Sequence, residues 1–107
     1  MAFQLGAALL DACVLAVLSR GDTYGYVLTQ QVRSIMNISE STLYPVLRRL
    51  QKNECLTTYD QAFQGRNRRY YKITEKGKTM LSQYLNEWEE YKENVDKVLL
   101  GGILGDE

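Results

Sequence analysis

The chain has 107 residues, 45% of them hydrophobic, as expected of one globular domain. The 13 Lys and Arg balance the 13 Asp and Glu, but the charges are unevenly distributed. Residues 1–77 hold ten basic and six acidic residues, a net charge of +4, and residues 78–107 hold three basic and seven acidic residues, a net charge of −4. This distribution predicts a polyanion-binding body and a C-terminal segment with another role. Because the chain has no histidine and no visible nucleophile–base pair or phosphate-binding glycine loop, the sequence argues against an enzyme and predicts no metal or cofactor.

The first predicted helix covers residues 4–19 and is apolar nearly all round, so we expect it to be buried on several sides. Its apolar stretch contains Asp11, lacks a basic flank and is shorter than a membrane span. These features favour a buried helix of a cytoplasmic protein over a membrane anchor or a signal peptide. Gly21 suits the left-handed position that ends such a helix.

Two cysteines, Cys13 and Cys55, each lie in or beside an apolar run. We interpret both as reduced core residues, with a disulfide or a two-cysteine metal site as the alternative. Neither interpretation supplies a catalytic nucleophile, because no histidine is present to act as its base.

The second predicted helix covers residues 23–36 and the third covers residues 41–53. The third has an apolar face with the spacing i, i+3, i+4, i+7, formed by Leu43, Val46, Leu47 and Leu50. Its other face is hydrogen-bonding and cationic, which is typical of a DNA-recognition helix. Ser39, Ser41 or Thr42 can cap this helix. Pro45 lacks a backbone N–H and costs little only in the first turn of a helix, which favours a start near Ser41 or Thr42 over one at Ser39.

Two strands are predicted next, because residues 56–59 and 69–74 are rich in β-branched and aromatic side chains. The polar segment between them, residues 60–68, contains Gly65 as the turn residue. These features predict a hairpin with a basic tip, which is named the wing below. Its cations are Arg66, Arg68, Arg69 and Lys72.

The last predicted helix begins at Glu75 or Lys78, where Thr74 can cap it, and ends near Leu100. Its apolar positions alternate at spacings of three and four over about three heptads. They are Leu81, Tyr84, Trp88, Tyr91, Val95 and Val98, widened by Leu85 and Leu99. A long helix that exposes such a seam needs a partner, so we expect it to dimerise.

Several motifs follow one another in a fixed order along the chain. They are Tyr24-Gly25-Tyr26, then Thr42-Leu43-Tyr44-Pro45 with Leu47-Arg48-Arg49-Leu50, then Arg69-Tyr70-Tyr71-Lys72-Ile73-Thr74-Glu75-Lys76-Gly77. Together they resemble the PadR family of transcriptional regulators, in its short form with one C-terminal helix, over about residues 9–91. The chain departs from the family at Ser41 and at Glu54-Cys55, where the family has glycine, and neither departure removes a DNA-contacting residue type.

The resemblance implies an α+β, mainly α, fold. It implies a winged helix-turn-helix of three helices and a two-stranded wing in residues 1–76, a dimerisation helix in residues 77–101 and a flexible tail in residues 102–107. It also implies a cytoplasmic homodimer that binds double-stranded DNA at an inverted-repeat operator and usually represses transcription. No membrane partner and no cofactor are implied.

Candidate DNA contacts lie on the third helix and on the wing. Polar groups at the start of a recognition helix reach base edges or phosphates, and cations further along hold the flanking backbone. Wing cations reach the backbone or the minor groove. The candidates are Ser39, Ser41, Thr42, Tyr44, Arg48 and Arg49 on or beside the third helix, Arg66, Asn67, Arg68 and Arg69 in the wing, and Tyr24.

Some of these candidates have structural alternatives. Tyr44 either contacts DNA or packs against the second helix. Arg49 either holds the DNA backbone or pairs with a nearby acid such as Glu54. Tyr24 and Tyr26 are ambiguous between the core and a phosphate contact.

In the wing, we favour Arg66 and Arg68 over Arg69 as DNA contacts. Tyr70 and Tyr71 alternate across a strand, so we expect one of them to face the core. Asn67 either reads a base edge or shapes the turn.

The aromatic part of the last helix has two interpretations. The first is packing of Tyr84, Trp88 and Tyr91 against the first helix of the partner subunit. The second comes from the resemblance: in multidrug-binding members of the family, a tryptophan on this helix lines a cavity between subunits and stacks flat aromatic ligands. Trp88 falls at the matching position, eleven residues after Gly77. This second interpretation predicts a small aromatic effector bound by the same three side chains at the dimer interface.

The alternative function is a winged-helix protein-interaction module that does not bind DNA. The basic wing argues against it, because an interaction module has no need of four cations on one hairpin.

Overall fold

The computed structural model describes residues 7–101. The start predicted for the first helix and the tail predicted at residues 102–107 lie outside the described residues. The elements in chain order are α1 (Ala7–Ser19), β1 (Thr23–Tyr24), α2 (Gly25–Met36), α3 (Glu40–Lys52), β2 (Leu56–Phe63), β3 (Arg66–Ile73) and α4 (Glu75–Leu99). Three helices, a hairpin and a long last helix confirm the predicted winged helix-turn-helix class.

The core lies between the first three helices and is closed by the base of the hairpin and the first turns of α4. Its side chains are Val14, Leu15, Leu18, Leu28, Val32, Leu43, Val46, Leu47, Leu50, Cys55, Leu56, Ile73 and Leu81. The apolar face predicted for α3 is therefore confirmed. Within residues 7–101, no helix is long and apolar enough to cross a bilayer.

A short strand that the sequence did not predict precedes α2. Thr23 and Tyr24 pair antiparallel with Tyr71 and Tyr70, so the sheet has three strands in the order β1-β3-β2 rather than two. α2 begins at Gly25, not at Thr23. The prediction was wrong because these two residues, one β-branched and one aromatic, find a partner strand that is distant in the sequence.

α3 begins at Glu40, one residue before the predicted start, with Ser39, one of the three predicted cap candidates, as its N-cap. The Ser39 hydroxyl accepts a hydrogen bond from the backbone N–H of Thr42 at 3.3 Å, which satisfies a donor that the first turn leaves free. Pro45 lies inside the helix, where its missing N–H deprives the Ser41 carbonyl of its helical donor. The cap, rather than the proline, therefore sets where α3 begins.

The wing is longer than predicted. β2 and β3 pair from Leu56 with Ile73 out to Phe63 with Arg66, so most of the predicted polar loop is strand. Gln64 and Gly65 form a two-residue turn with φ of 51° and 77°, as a type I′ hairpin requires. Cross-strand pairing extends a ladder through polar residues that have little strand propensity of their own.

α4 begins at Glu75 with Thr74 as its N-cap, as predicted. The Thr74 hydroxyl accepts from the Gly77 N–H at 3.0 Å and donates to the Glu54 carbonyl at 2.7 Å. Gly77 is buried against the Cys55 carbonyl oxygen, which an added Cβ would approach to 2.1 Å. This junction sets the direction of α4, which extends away from the body and gives the molecule a length of 66 Å.

Candidate nucleic-acid interface and the adjoining groove

The start of α3 presents a cluster of hydroxyl groups to solvent. Ser39 Oγ shares hydrogen bonds of 2.9 Å with Ser41 Oγ and with Thr42 Oγ1. Tyr44 and Arg48 are exposed on the same helix, whose opposite face is buried in the core. The N-terminal end of a helix also carries partial positive charge. The surface therefore combines hydrogen-bonding groups with a favourable field for phosphate.

α2 and α3 are braced by an ion pair that the sequence did not predict. Arg33 Nη1 lies 3.1 Å from Glu40 Oε1, and Arg33 Nε donates to the Ile38 carbonyl at 3.2 Å. One guanidinium thus spans the turn between the two helices. Its partners lie in that turn and at the first residue of α3, so this side chain ties the last turns of α2 to the start of α3. Opposite charges across a short turn were the only available signal.

Arg49 faces α1 rather than the exposed side of α3. Its guanidinium forms an ion pair with the buried carboxylate of Asp11, not with Glu54. Of the two alternatives, pairing with an acid is the one the structure supports, with a partner on another helix. Arg49, whose side chain is 40% exposed, is thus already engaged by Asp11, whereas Arg48 is exposed on the candidate DNA surface.

The two faces of the wing carry different chemistry. Directly opposed residues in neighbouring strands share a face, and the faces alternate along each strand. Asn67, Arg69 and Tyr71 therefore lie on one face of β3. The other face carries Arg66, Arg68, Tyr70 and Lys72.

Arg68 is held between aromatic rings. Its guanidinium carbon lies 3.9 Å from the centre of the Phe63 ring and 4.3 Å from that of Tyr24. Tyr70 stacks on Tyr59 at 5.4 Å and meets Tyr24 edge-on at 5.7 Å. Arg68 is half-buried in this cluster, so both it and Tyr24 already have packing roles, which weakens the preference for Arg68 over Arg69.

Tyr59 anchors the aromatic cluster to the turn after α1. The Tyr59 hydroxyl donates to Asp22 Oδ2 at 2.8 Å. This hydrogen bond, and secondarily desolvation, raise the pKa of Tyr59 above its usual range. Stacked rings and a tethered phenol stiffen the projecting hairpin through cross-strand contacts.

The other face of the wing leads into the core. Tyr71 packs against the core, as expected of one of the two tyrosines. Burial raises the pKa of Tyr71, and the nearby Arg69 charge partly opposes that shift. The face that carries Asn67 and Arg69 thus continues, through Tyr71 and Ile73, into the core that also buries the apolar face of α3. Arg69 is 64% exposed and sits 3.6 Å from Asp60, also exposed.

An open groove of about 620 Å³ lies between α1 and α4. Small side chains on α1 leave room for large ones on α4. The groove is lined by Ala8, Leu9, Ala12, Cys13 and Ala16 on α1, and by Tyr84, Leu85, Glu87, Trp88 and Tyr91 on α4. Trp88 and Tyr91 are 39% and 55% exposed, and their ring centres are 6.3 Å apart.

The predicted seam of α4 is divided between two environments. Leu81, which was predicted to lie in the dimer interface, is only 9% exposed and packs in the core of its own chain. Tyr84 is half-buried, and its hydroxyl donates to Asp11 Oδ2 at 3.2 Å. Desolvation, and then the Asp11 charge, raise the pKa of Tyr84. The exposed remainder of the seam includes Leu85 and Val98.

Both cysteines are free thiols. Cys55 is buried in the core, as predicted, and its thiol donates to Met80 Sδ at 3.5 Å. Cys13 is half-buried on the groove, and desolvation raises its pKa. The described residues contain no group of three side chains suited to bind a metal ion.

Comparison with known proteins places this arrangement in a family. The model of the Transcriptional regulator PadR-like family matches residues 14–83. A solved structure from Streptococcus mutans is 40% identical, with a TM-score of 0.86 over 94% of this chain and 95% of that chain. A PadR family transcription regulator from Clostridium difficile is 29% identical, with a TM-score of 0.78 over 84% and 97%.

Two further relatives have the same extent. A PadR-like transcriptional regulator from Bacillus cereus is 31% identical, with a TM-score of 0.77 over 85% of this chain and 91% of that chain. An uncharacterized protein from Lysinibacillus sphaericus is 38% identical over 97 residues, which are 86% of this chain and 89% of the relative. The similarity therefore extends over nearly the whole length of these proteins.

Proposed function

Because the chain belongs to the PadR-like family of transcriptional regulators, we propose that it is a homodimeric repressor that binds an inverted-repeat operator. A regulator of this family acts by binding DNA and is not an enzyme. The observation that carries the proposal is the exposed, hydrogen-bonding start of α3 beside a basic wing whose Asn67–Arg69 face continues into Tyr71 and Ile73. These two residues pack on the same core as the apolar face of α3.

The start of α3 reads the major groove in this proposal. Ser41, Thr42 and Tyr44 are exposed there and offer donors and acceptors to base edges. Arg48 lies about one turn further on and neutralises a flanking phosphate. Ser39 acts mainly as the cap, because its oxygen is already engaged by the Thr42 N–H.

In this proposal the wing contacts the adjacent DNA backbone or the minor groove. Arg69 exchanges its exposed pair with Asp60 for a phosphate, since such a surface pair contributes little on its own. Asn67 shares its face, and Arg66 lies at the tip. Arg68 and Tyr24 support the wing from the opposite face rather than contacting DNA.

DNA binding is tested by fluorescence anisotropy with the protein's own promoter region at low and moderate salt. A protein that neutralises phosphates loses affinity steeply as salt rises. We expect Arg69→Ala to weaken binding and to lower the salt slope by about 1. Lys92→Ala, which removes an exposed cation on α4, is the matched control and leaves the affinity and the salt slope unchanged. Absence of binding at any salt would instead favour the protein-interaction module.

The homodimer is supported by apolar surface that one chain leaves exposed. Leu85, Trp88, Tyr91 and Val98 are 51%, 39%, 55% and 72% exposed on α4, and half-buried Val95 continues the seam. A surface of this kind on one helix marks an interface. Sedimentation across a range of protein concentrations distinguishes a dimer from a monomer, and a monomer at all concentrations contradicts the proposal.

The same groove supports a small aromatic effector that releases the repressor. Trp88, Tyr84 and Tyr91 provide aromatic surface, and Glu87 provides a negative charge at the lining, so planar cations are the fitting class. We expect planar cationic dyes to quench the emission of Trp88, the single tryptophan. No quenching across a broad dye panel would exclude the effector site and leave the groove as a dimer contact alone.

A further inference from the structure

Asp11 is a charged side chain placed where the fold should prefer an apolar one. It lies on α1, a helix that is otherwise almost entirely apolar, and it is only 7% exposed. A buried carboxylate is costly unless it is paired and hydrogen-bonded. The partners of Asp11 therefore indicate why it is there.

Both carboxylate oxygens have a partner, and the partners come from different helices. Oδ1 forms the ion pair with Arg49 of α3. Oδ2 accepts the hydrogen bond from the Tyr84 hydroxyl of α4 at 3.2 Å. One side chain on α1 thus connects the recognition helix to the helix with the exposed apolar seam.

The two ends of this connection lie at the two sites of the proposed function. Tyr84 lines the groove between α1 and α4, where Trp88 follows it one helical turn later. Arg49 lies next to Arg48, which faces outward on α3. A change at either end can therefore reach the other through three side chains in direct contact.

We propose that Tyr84, Asp11 and Arg49 form a relay that couples the groove to the recognition helix, with Asp11 as its positioning residue. The inference rests on the proposed DNA-binding function. The relay has two arrangements: in one, Arg49 and Tyr84 each hold one oxygen of Asp11. In the other, a groove occupant draws the Tyr84 hydroxyl away and Arg49 takes both oxygens, as a guanidinium and a carboxylate readily do. The second arrangement shifts Arg49, and α3 with it.

Coupling between two sites is reciprocal, so DNA binding at α3 must be detectable in the groove. Trp88 reports on the groove and is the single tryptophan of the chain. The full chain is titrated with a duplex selected from random sequences for binding, and occupancy is followed by anisotropy of a labelled copy. We expect the Trp88 emission of the wild type to change in parallel with occupancy.

Two variants interrupt the relay at different points. Tyr84→Phe keeps the ring and removes the hydroxyl, and Asp11→Asn keeps the shape and removes the charge. We expect the Trp88 response at full occupancy to be lost in both. Tyr59→Phe is the matched control, because it also deletes a tyrosine–aspartate hydrogen bond, with Asp22, but outside the relay. It retains the response at full occupancy, because a change in wing stiffness alters the affinity for DNA and not the contact between α3 and the groove.

Each outcome has one meaning. A wild-type Trp88 emission that stays constant while anisotropy shows saturation overturns the relay and leaves the DNA-binding proposal intact. An equal response in the wild type and Tyr84→Phe also overturns the relay. Failure of the selection to yield any bound duplex refutes DNA binding itself, and with it the relay, because no second site remains to be coupled.

Discussion

Replacing Gly77 by alanine tests the junction that positions α4. In an ordinary helix interior this change is stabilising, because alanine has the higher helix propensity by about 1 kcal/mol. At Gly77 the structure predicts the opposite sign. The added Cβ would lie 2.1 Å from the Cys55 carbonyl oxygen and 2.8 Å from Ile73 Cγ1.

The magnitude follows from which atoms must move. The Cys55 carbonyl is backbone and already accepts a hydrogen bond from the Thr74 N–H at 3.1 Å, so it has no rotamer to change. Relief requires α4 to move away from the loop before β2. Overpacking of this kind costs about 1–3 kcal/mol, occasionally more. Because backbone atoms must move, the cost lies at the upper end of this range, about 3 kcal/mol. With the propensity gain of about 1 kcal/mol subtracted, we expect Gly77→Ala to lower the free energy of unfolding by roughly 2 kcal/mol, or the melting temperature by about 10 °C.

Urea denaturation followed by circular dichroism, at one fixed protein concentration, measures the change. Gly25→Ala is the matched control at the start of α2, where the added Cβ would meet Tyr71 Cε1 at an ordinary 3.4 Å. It should leave stability nearly unchanged. If Gly77→Ala is as stable as the wild type, the close approach of α4 to Cys55 is wrong.

Two further predictions concern single contacts. Ser39→Ala removes the cap of α3 and should cost about 1 kcal/mol of stability, whereas Ser34→Ala, an exposed site on α2, should cost little; equal losses in the same urea experiment would contradict the cap. Burial and Asp11 raise the pKa of Tyr84, so the folded state keeps this proton above pH ~10, where an unfolded tyrosine loses it. The stabilisation that the protonated Tyr84 hydroxyl contributes is complete below that pH and is lost as pH rises through the pKa of Tyr84 in the folded state. Tyr84→Phe should therefore show a shallower decline in the free energy of unfolding above pH ~10. A decline equal to that of the wild type would contradict the contact between Tyr84 and Asp11.

Local signals predicted the elements whose causes are local. The apolar spacing of Leu43, Val46, Leu47 and Leu50 predicted the buried face of α3, and Thr74 predicted the start of α4. Both depend on residues within one or two turns.

The features that the sequence did not reveal depend on distant partners. β1 exists because Thr23 and Tyr24 meet β3 across the fold. The partner of Arg49, Asp11, is 38 residues away in the sequence. No local pattern could therefore predict their ion pair. Local pattern indicates which face of a helix is apolar, but the partner of a charged group is set by how the helices pack.

The order in which the wing arginines are favoured as DNA contacts also depends on packing that the sequence does not show. Consecutive arginines near a hairpin tip look equivalent in sequence, yet the pairing register places Arg68 and Arg69 on opposite faces. Only the packed structure shows that aromatic rings hold Arg68. The site is therefore predictable from sequence as a set of residue types, and the assignment of each residue to a role requires the fold.

Selection of bound sequences from random duplex DNA with the purified full chain shows whether the protein reads DNA as a dimer. Two copies of α3 related by a dimer axis should select an inverted repeat whose half-sites are about one helical turn apart, or a multiple of it. Selection of such a repeat, with affinity that falls steeply as salt rises, is the result that the account predicts. Recovery of no enriched sequence, even at low salt, would contradict it.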